Sequence, residues 1–175
     1  MKYKLELSKR RSISISVKHG ELLVKAPLGT SVERVEAVIS KHQKWIEKHM
    51  NTEKKRELLE AALTDEKIAE LKRLARTYLV EKTARYSQIM GLKYGRITIT
   101  SAKTRFGSCS SKGNISCSYR LMLYPEAARE YVVVHELAHL VHMDHSPAFY
   151  ALIERYLPDY KSRRKLLKDS NISMP

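Results

Sequence analysis

The stretch Tyr131-Val-Val-Val-His-Glu-Leu-Ala-His-Leu-Val-His-Met-Asp-His145 constrains this chain more than any other. Val132, Val133, Val134, Leu137, Ala138, Leu140 and Val141 leave almost no polar residue on a helical wheel, and a helix that is apolar all round is a buried helix. Inside that run sit His135, Glu136 and His139. Burying a carboxylate and two imidazoles costs several kcal/mol unless they coordinate or pair. Residues four apart on a helix stand one above the other, so the H-E-x-x-H pattern aims two imidazoles at one point. Whatever fold the chain adopts must bring a compensating partner there, and a metal ion is the simplest one.

Zn²⁺ suits such a point, because it takes neutral imidazole nitrogen at about 2.0–2.1 Å and keeps one of four positions open for water in catalytic sites. Glu136, beside the first ligand, is placed to take a proton from that water. A third ligand is needed. His142 lies about 10.5 Å along the axis from His135 at 1.5 Å per residue, too far to share an ion with it. If the helix stops near Met143 and the chain turns back, His145 swings under the metal. Asp144 tolerates the left-handed conformation such a reversal uses, and Ser146-Pro147 reads as the N-cap and first position of a new helix. The His135-to-His145 spacing equals that of the longer metzincin pattern H-E-x-x-H-x-x-G-x-x-H, with His142 in place of its glycine. The competing reading, histidines of core or surface in a chance pattern, leaves the apolar surroundings of the set unexplained.

At 175 residues the chain has room for one good core or a small domain with an appended module. Apolar residues make up 43% of it, which is a globular composition, and no apolar run approaches the roughly 20 residues of a bilayer span. No charged start followed by an apolar segment suggests secretion, so the expected location is cytoplasmic. In a reducing compartment Cys109 and Cys117, which lack C-x-x-C spacing, are expected as free thiols. The net charge is +14. Basic surfaces attract polyanions, which keeps a nucleotide or nucleic acid open as a partner, although charge spread along the chain also serves solubility.

In order along the chain, Tyr3–Leu7, Ser12–Val17 and Glu21–Lys25 alternate apolar and polar residues, and with the turn signal His19-Gly20 they predict a small antiparallel sheet. Thr30-Ser-Val-Glu33 reads as a capping box, opening a helix whose packing Trp45 is expected to anchor. Asn51 to Glu60 is a helix continuation or an exposed connection. A second long amphipathic helix begins after Thr64-Asp65 and stops at Gly91. The chain therefore reads as an N-terminal module over residues 1–63 and a metal-bearing domain over 64–175. Within the latter, Gly95–Thr100 is a strand, Thr104–Asn114 a small-residue loop, and Ile115–Ser118 and Leu121–Leu123 further strands. The loop is a candidate edge for an extended substrate, with Gly107 allowing close backbone approach and Ser108 beside it. Arg105 and Arg120 flank it as candidate stabilisers of developing negative charge. Pro125 and Glu126 open the metal helix, Pro147–Leu157 follows with Phe149, Leu152, Ile153 and Tyr156 inward, and Asp159–Lys168 is a last basic helix.

Taken together, Arg105-Phe-Gly-Ser-Cys-Ser-Ser-Lys-Gly-Asn-Ile115, Tyr119-Arg-Leu121, Tyr131 to His139 and Asp144-His-Ser-Pro-Ala-Phe149 resemble the YgjP-like zinc metallopeptidase family, related to the SprT-like and WLM proteases. The resemblance spans most of the chain. It implies an α+β fold, with the N-terminal sheet and two amphipathic helices followed by a zincin-like sheet and metal-binding helix. It also implies His135, His139 and His145 as zinc ligands, Glu136 as general base, and Gly107-Ser108-Cys109-Ser110 bordering the cleft. Phe106 stands where the family has Trp, and Asp144 where it has Asn, which adds a charge beside His145. Three functions follow as expectations: a zinc peptidase acting on a peptide or protein, a zinc-dependent nucleoside-triphosphate pyrophosphatase, and a nucleic-acid-binding module whose protease acts on DNA-bound proteins.

Overall fold

In the computed structural model, which describes residues 2–18 and 20–169, the chain divides into two units, Met1–Ala62 and Leu63–Pro175. The fold is α+β. His19, half of the expected turn signal, lies outside the described residues.

The first unit opens with β1 (Lys4–Ser8), β2 (Ser14–Lys18) and β3 (Glu21–Pro27), arranged β1-β3-β2. Leu22, Val24 and Ala26 all point to one face and are buried, as the period of two requires. The strand with the most to bury takes the centre, where both of its edges are paired. β2 runs antiparallel to β3 and β1 parallel to it, with Leu5 and Ile15 both opposite Val24. The sheet is therefore mixed rather than wholly antiparallel.

Helix α1 (Val32–Lys41) is capped by Ser31, whose hydroxyl accepts from the Arg34 amide at 3.4 Å. The cap falls one residue later than the Thr30 box predicts, because the Thr30 hydroxyl donates instead to the Pro27 carbonyl at 2.8 Å. The chain breaks helical phase at His42 and continues as α2 (Gln43–Ala62). After that break Ile46, fully buried, meets Leu22, Val24, Ala26 and Val35. Trp45 is 41% exposed and stacks on His49 with ring centroids 3.9 Å apart, so it is not the anchor the apolar spacing suggests.

The second unit starts with α3 (Asp65–Met90). Thr64 caps it by accepting from the Lys67 amide at 3.3 Å, Asp65 and Glu66 complement the positive end of the dipole, and Gly91 at φ 66° ends it. The second sheet comprises β4 (Ile97–Thr100), β5 (Gly107–Cys109) and β6 (Ile115–Ser118) in the order β4-β6-β5, so β5 is an edge strand. β4 pairs parallel with β6, and β5 antiparallel.

The chain then departs from expectation. Tyr119–Leu123 is a 3₁₀ turn, not a strand. Ser118 starts it by accepting from the Arg120 amide at 3.3 Å, and Arg129 donates to the carbonyls of Tyr124 at 2.7 Å and Met122 at 3.0 Å. These bonds replace the ladder that a strand would need.

Three helices complete the unit: α4 (Glu126–Ala138), α5 (Pro147–Tyr156) and α6 (Tyr160–Asp169). Leu71, Ala75 and Leu79 of α3, Ile115 and Cys117 of β6, Val132, Val133, Val134 and Leu137 of α4, and Phe149 and Ile153 of α5 share one core. Lys82 reaches Glu126 at 2.9 Å and Glu130 at 2.7 Å, and Glu130 in turn accepts from Arg163 at 2.8 Å. This chain of charges ties α3, α4 and α6 together. No helix among the described residues is long and apolar enough to cross a membrane.

Candidate metal centre

Helix α4 carries the His-Glu-x-x-His set on its last turn and stops sooner than the sequence suggests. It ends at Ala138, and the chain tightens through Leu140 N–H to Leu137 O at 3.0 Å and Val141 N–H to Ala138 O at 3.1 Å. Asp144 makes the reversal by accepting from the Ser146 amide at 3.2 Å. Ser146 then caps α5 by accepting from the Phe149 amide, with Pro147 in the first turn. His145 sits in the connection and is carried back over α4.

The result is a convergence of three imidazoles. One ring nitrogen from each of His135, His139 and His145 lies within 4.8 Å of the other two. The Nε2 atoms of His145 and His135 are 3.2 Å apart. Buried Phe149 lies beneath all three rings, at centroid distances of 4.9 Å from His135, 4.6 Å from His139 and 4.9 Å from His145.

The outer nitrogens are held by the protein. His139 Nδ1 donates to the His142 carbonyl at 3.0 Å, and His135 Nδ1 faces the Tyr131 hydroxyl at 3.4 Å. Donation from Nδ1 to the carbonyl presents the His139 Nε2 as a lone pair. Burial, with His139, His145 and Arg164 adding to it, pushes the His135 pKa down to about 3. Burial also lowers that of His139. At 3.2 Å the Nε2 atoms of His145 and His135 can share a proton or a cation. Two nitrogens on one tetrahedral zinc-sized ion stand about 3.3 Å apart for bonds of 2.0–2.1 Å, close to the 3.2 Å between His135 and His145. The donor set fits a divalent metal.

Glu136 lies with its carboxyl against Gly107 of β5 and lines one cavity with His135. It is 4% exposed, and its Oε2 has no hydrogen-bond partner among the described residues. Burial pushes its pKa up to about 8, with Arg105 pulling the other way. Gly107 makes that position possible. A β-carbon built there would lie 2.5 Å from Glu136 Oε1 and 2.8 Å from its Cδ. The space opened by this glycine is occupied by the carboxyl group.

A cavity of about 360 Å³ opens beside Glu136 and His135, walled by Arg105, Phe106 and Gly107 on one side, Tyr131 and Val132 of α4, and Arg164, Leu167 and Lys168 of α6. Among the sequence candidates, His135, His139, His145 and Glu136 come together, and Arg105 and Gly107 join them at the cavity. Ser108 lies on β5 but does not line it. Arg120 is 4% exposed, with its guanidinium 5.3 Å from the Tyr119 ring centroid, and does not line it either. Cys109 and Cys117 are free thiols. Burial raises the pKa of both, that of Cys117 to about 12, so neither offers a thiolate at neutral pH.

Sequence reasoning missed four contributors. Tyr131, four residues before His135, shares its helical face and was open to discovery by spacing. Phe149 reads as plain core. Arg164 and Lys168 read as solvated charges, and nothing in their local pattern marks them.

Converging imidazoles beside a buried carboxyl, on an α+β frame, form a donor set that could hold a metal ion. The sequence matches the family described as YgjP-like, metallopeptidase domain, over residues 11–69 and 56–170. The chain belongs to that family. Among solved structures, that of the metallopeptidase zymogen of Pyrococcus abyssi abylysin is similar to it at 22% identity and a TM-score of 0.48, covering 55% of this chain and 99% of that one. No curated protein matches the chain.

Proposed function

We propose that this chain is a zinc peptidase in which His135, His139 and His145 hold Zn²⁺ and Glu136 is the general base. The observation that carries the reading is the pairing of three convergent ring nitrogens with a buried carboxyl oxygen that no described residue satisfies. When bound there, the ion supplies positive charge that favours the carboxylate form of Glu136, polarises a carbonyl and lowers the pKa of a water from 15.7 towards about 7.

The chain's own groups do the rest. Glu136 takes a proton from the attacking water as its oxygen bonds to the peptide carbon, and holds it on the free Oε2. It then delivers that proton to the leaving nitrogen as the C–N bond breaks, so that one water is consumed and an acid and an amine are formed. Tyr131 and the His142 carbonyl keep the imidazoles in register. β5, an edge strand next to the carboxyl, can hold an extended backbone by main-chain hydrogen bonds, and Arg105 lies where it can face developing negative charge. The peptide or protein substrate would be met in the compartment expected from the sequence, the cytoplasm.

Glu136→Gln tests this reading. Zinc content should be unchanged, and hydrolysis of a casein digest should fall by about 10²–10⁴-fold, the usual worth of a general base. Wild-type turnover in that variant would remove Glu136 from the mechanism. A second reading, hydrolysis of a nucleoside triphosphate to monophosphate and pyrophosphate, is favoured by the three cations around the cavity, Arg105, Arg164 and Lys168. UTP incubated with the same preparation, and assayed for pyrophosphate, decides between the two.

A further inference from the structure

Helix α6 carries two kinds of cation. Arg163 is fully engaged, donating to Asp159 at 2.7 Å and to Glu130 at 2.8 Å. Its neighbour Arg164 and, one turn on, Lys168 line the cavity beside Glu136, and neither pairs with a carboxylate among the described residues. Arg164 instead lies with its guanidinium carbon 5.7 Å from the Tyr150 ring centroid. That contact steadies the stem and leaves the fork of donors free. Like charges four residues apart on a helix repel each other, so the pair sits at a small cost that an anion between them would relieve. Leu167, on the turn between them, is buried and with Phe106, Tyr131 and Val132 gives the cavity apolar walls. Glu136 is the one carboxylate in that lining. At about 360 Å³ the space is near the lower end for ligand pockets, large enough for a long side chain.

We propose that this cavity selects substrates by an acidic residue next to the scissile bond, with the stem against Phe106, Tyr131, Val132 and Leu167 and the carboxylate held by Arg164 and Lys168. The inference rests on the peptidase reading above. An aliphatic stem gains from apolar walls, and a carboxylate entering them is affordable only with cations at its end. The cavity provides both, in one space shared by Glu136 and α6. An amide of the same shape fits the walls but forfeits the charge-assisted bonds, and a lysine meets two like charges.

The test uses the zinc-loaded full chain and a quenched-fluorescent peptide set in which each position flanking the cleaved bond is in turn Glu, Gln, Leu or Lys. At one position Glu should exceed Gln in kcat/KM by roughly tenfold or more, as expected for a hydrogen bond between charged groups. In the double variant Arg164→Gln, Lys168→Gln that ratio should fall to near one, and in Arg164→Glu, Lys168→Glu it should turn in favour of the Lys peptide. Both side chains are exposed, so these changes leave the core intact. Binding of uncleaved Glu and Gln peptides to Glu136→Gln, followed by fluorescence anisotropy, should show the same preference apart from turnover. Cleavage with equal rates for Glu and Gln at every position, or a preference that survives the double variant, overturns the inference while sparing the peptidase reading. Failure to cleave any peptide of the set, with UTP hydrolysed or not, overturns the peptidase reading and this inference with it.

Discussion

Met1–Ala62 and Leu63–Pro175 are both made of a three-stranded mixed sheet and helices, but they bury different things. The first closes over Leu22, Val24, Ala26, Val35 and Ile46, all apolar. The second has a larger core, and the buried polar side chains of the described residues, Thr83, Ser118, Arg120 and Glu136, all belong to it. Burying a polar group is unfavourable without a partner, and a structure that tolerates it persists where the rest of the packing over-determines the site. The buried side chains of the first core are all apolar, whereas the second unit also buries the Glu136 carboxyl.

The largest effect that would sharpen this contrast is expected at Gly107. Gly107→Ala puts a methyl group where the Glu136 carboxyl lies, and a shift of about 1 Å in a reacting group can cost about 10²-fold. Peptide hydrolysis should fall by about that factor with zinc content unchanged. Retained activity would mean that the close approach does not position the carboxyl group.

Next in size is a pH effect in the metal-free protein. The Glu136 pKa is raised from 4.5 to about 8 on folding, so the folded form binds more protons than the unfolded one between those values. Its contribution to stability is then present at low pH and lost as pH rises through 8. His135 and His139, whose pKa values are lowered from 6.5, act in the opposite sense, but only below 6.5. Between pH 6.5 and 8 Glu136 therefore acts without them, and the metal-free second unit should lose stability at a slope of up to about 1.4 kcal/mol per pH unit. Hydrogen exchange of α4 amides measures it. Glu136→Gln should abolish that slope, and a slope persisting in the variant would assign it to another group.

The smallest effect on the site is expected from the first unit. Ile46→Ala should destabilise Met1–Ala62 by about 2–5 kcal/mol through the cavity it leaves, measured by denaturant titration. Zinc content should stay the same, and turnover should change less than twofold. A loss of zinc would break the division between scaffold and chemistry.

Much of this was legible in the sequence because it depends on local pattern. Thr64 and Gly91 bound α3 as their capping chemistry predicts, and the spacing of His135, His139 and His145 matches the convergence of their rings. What was not legible depends on tertiary competition. Thr30 gave up the cap because its hydroxyl found the Pro27 carbonyl, and Trp45 lost its anchoring place to Ile46 because His42 resets the helical phase. Leu121–Leu123 looks like a strand, yet Arg129, seven residues on, satisfies the Met122 carbonyl. The most apolar strand, β3, takes the middle of the sheet, and β1 pairs parallel with it. At the site, the role of Gly107 depends on α4 lying against β5, and the cavity wall from α6 on the tie of Arg163 to Glu130.

The most direct measurement is the metal content of the freshly purified chain beside His135→Ala, His139→Ala and His145→Ala, by elemental analysis with zinc titration of the stripped proteins. One zinc per chain in the parent, with affinity falling steeply in each variant and most tellingly in His145→Ala, is the result expected from three convergent ring nitrogens. Zinc bound as tightly after removal of His145 as before, or no zinc taken up by the parent, would contradict the site on which the rest is built.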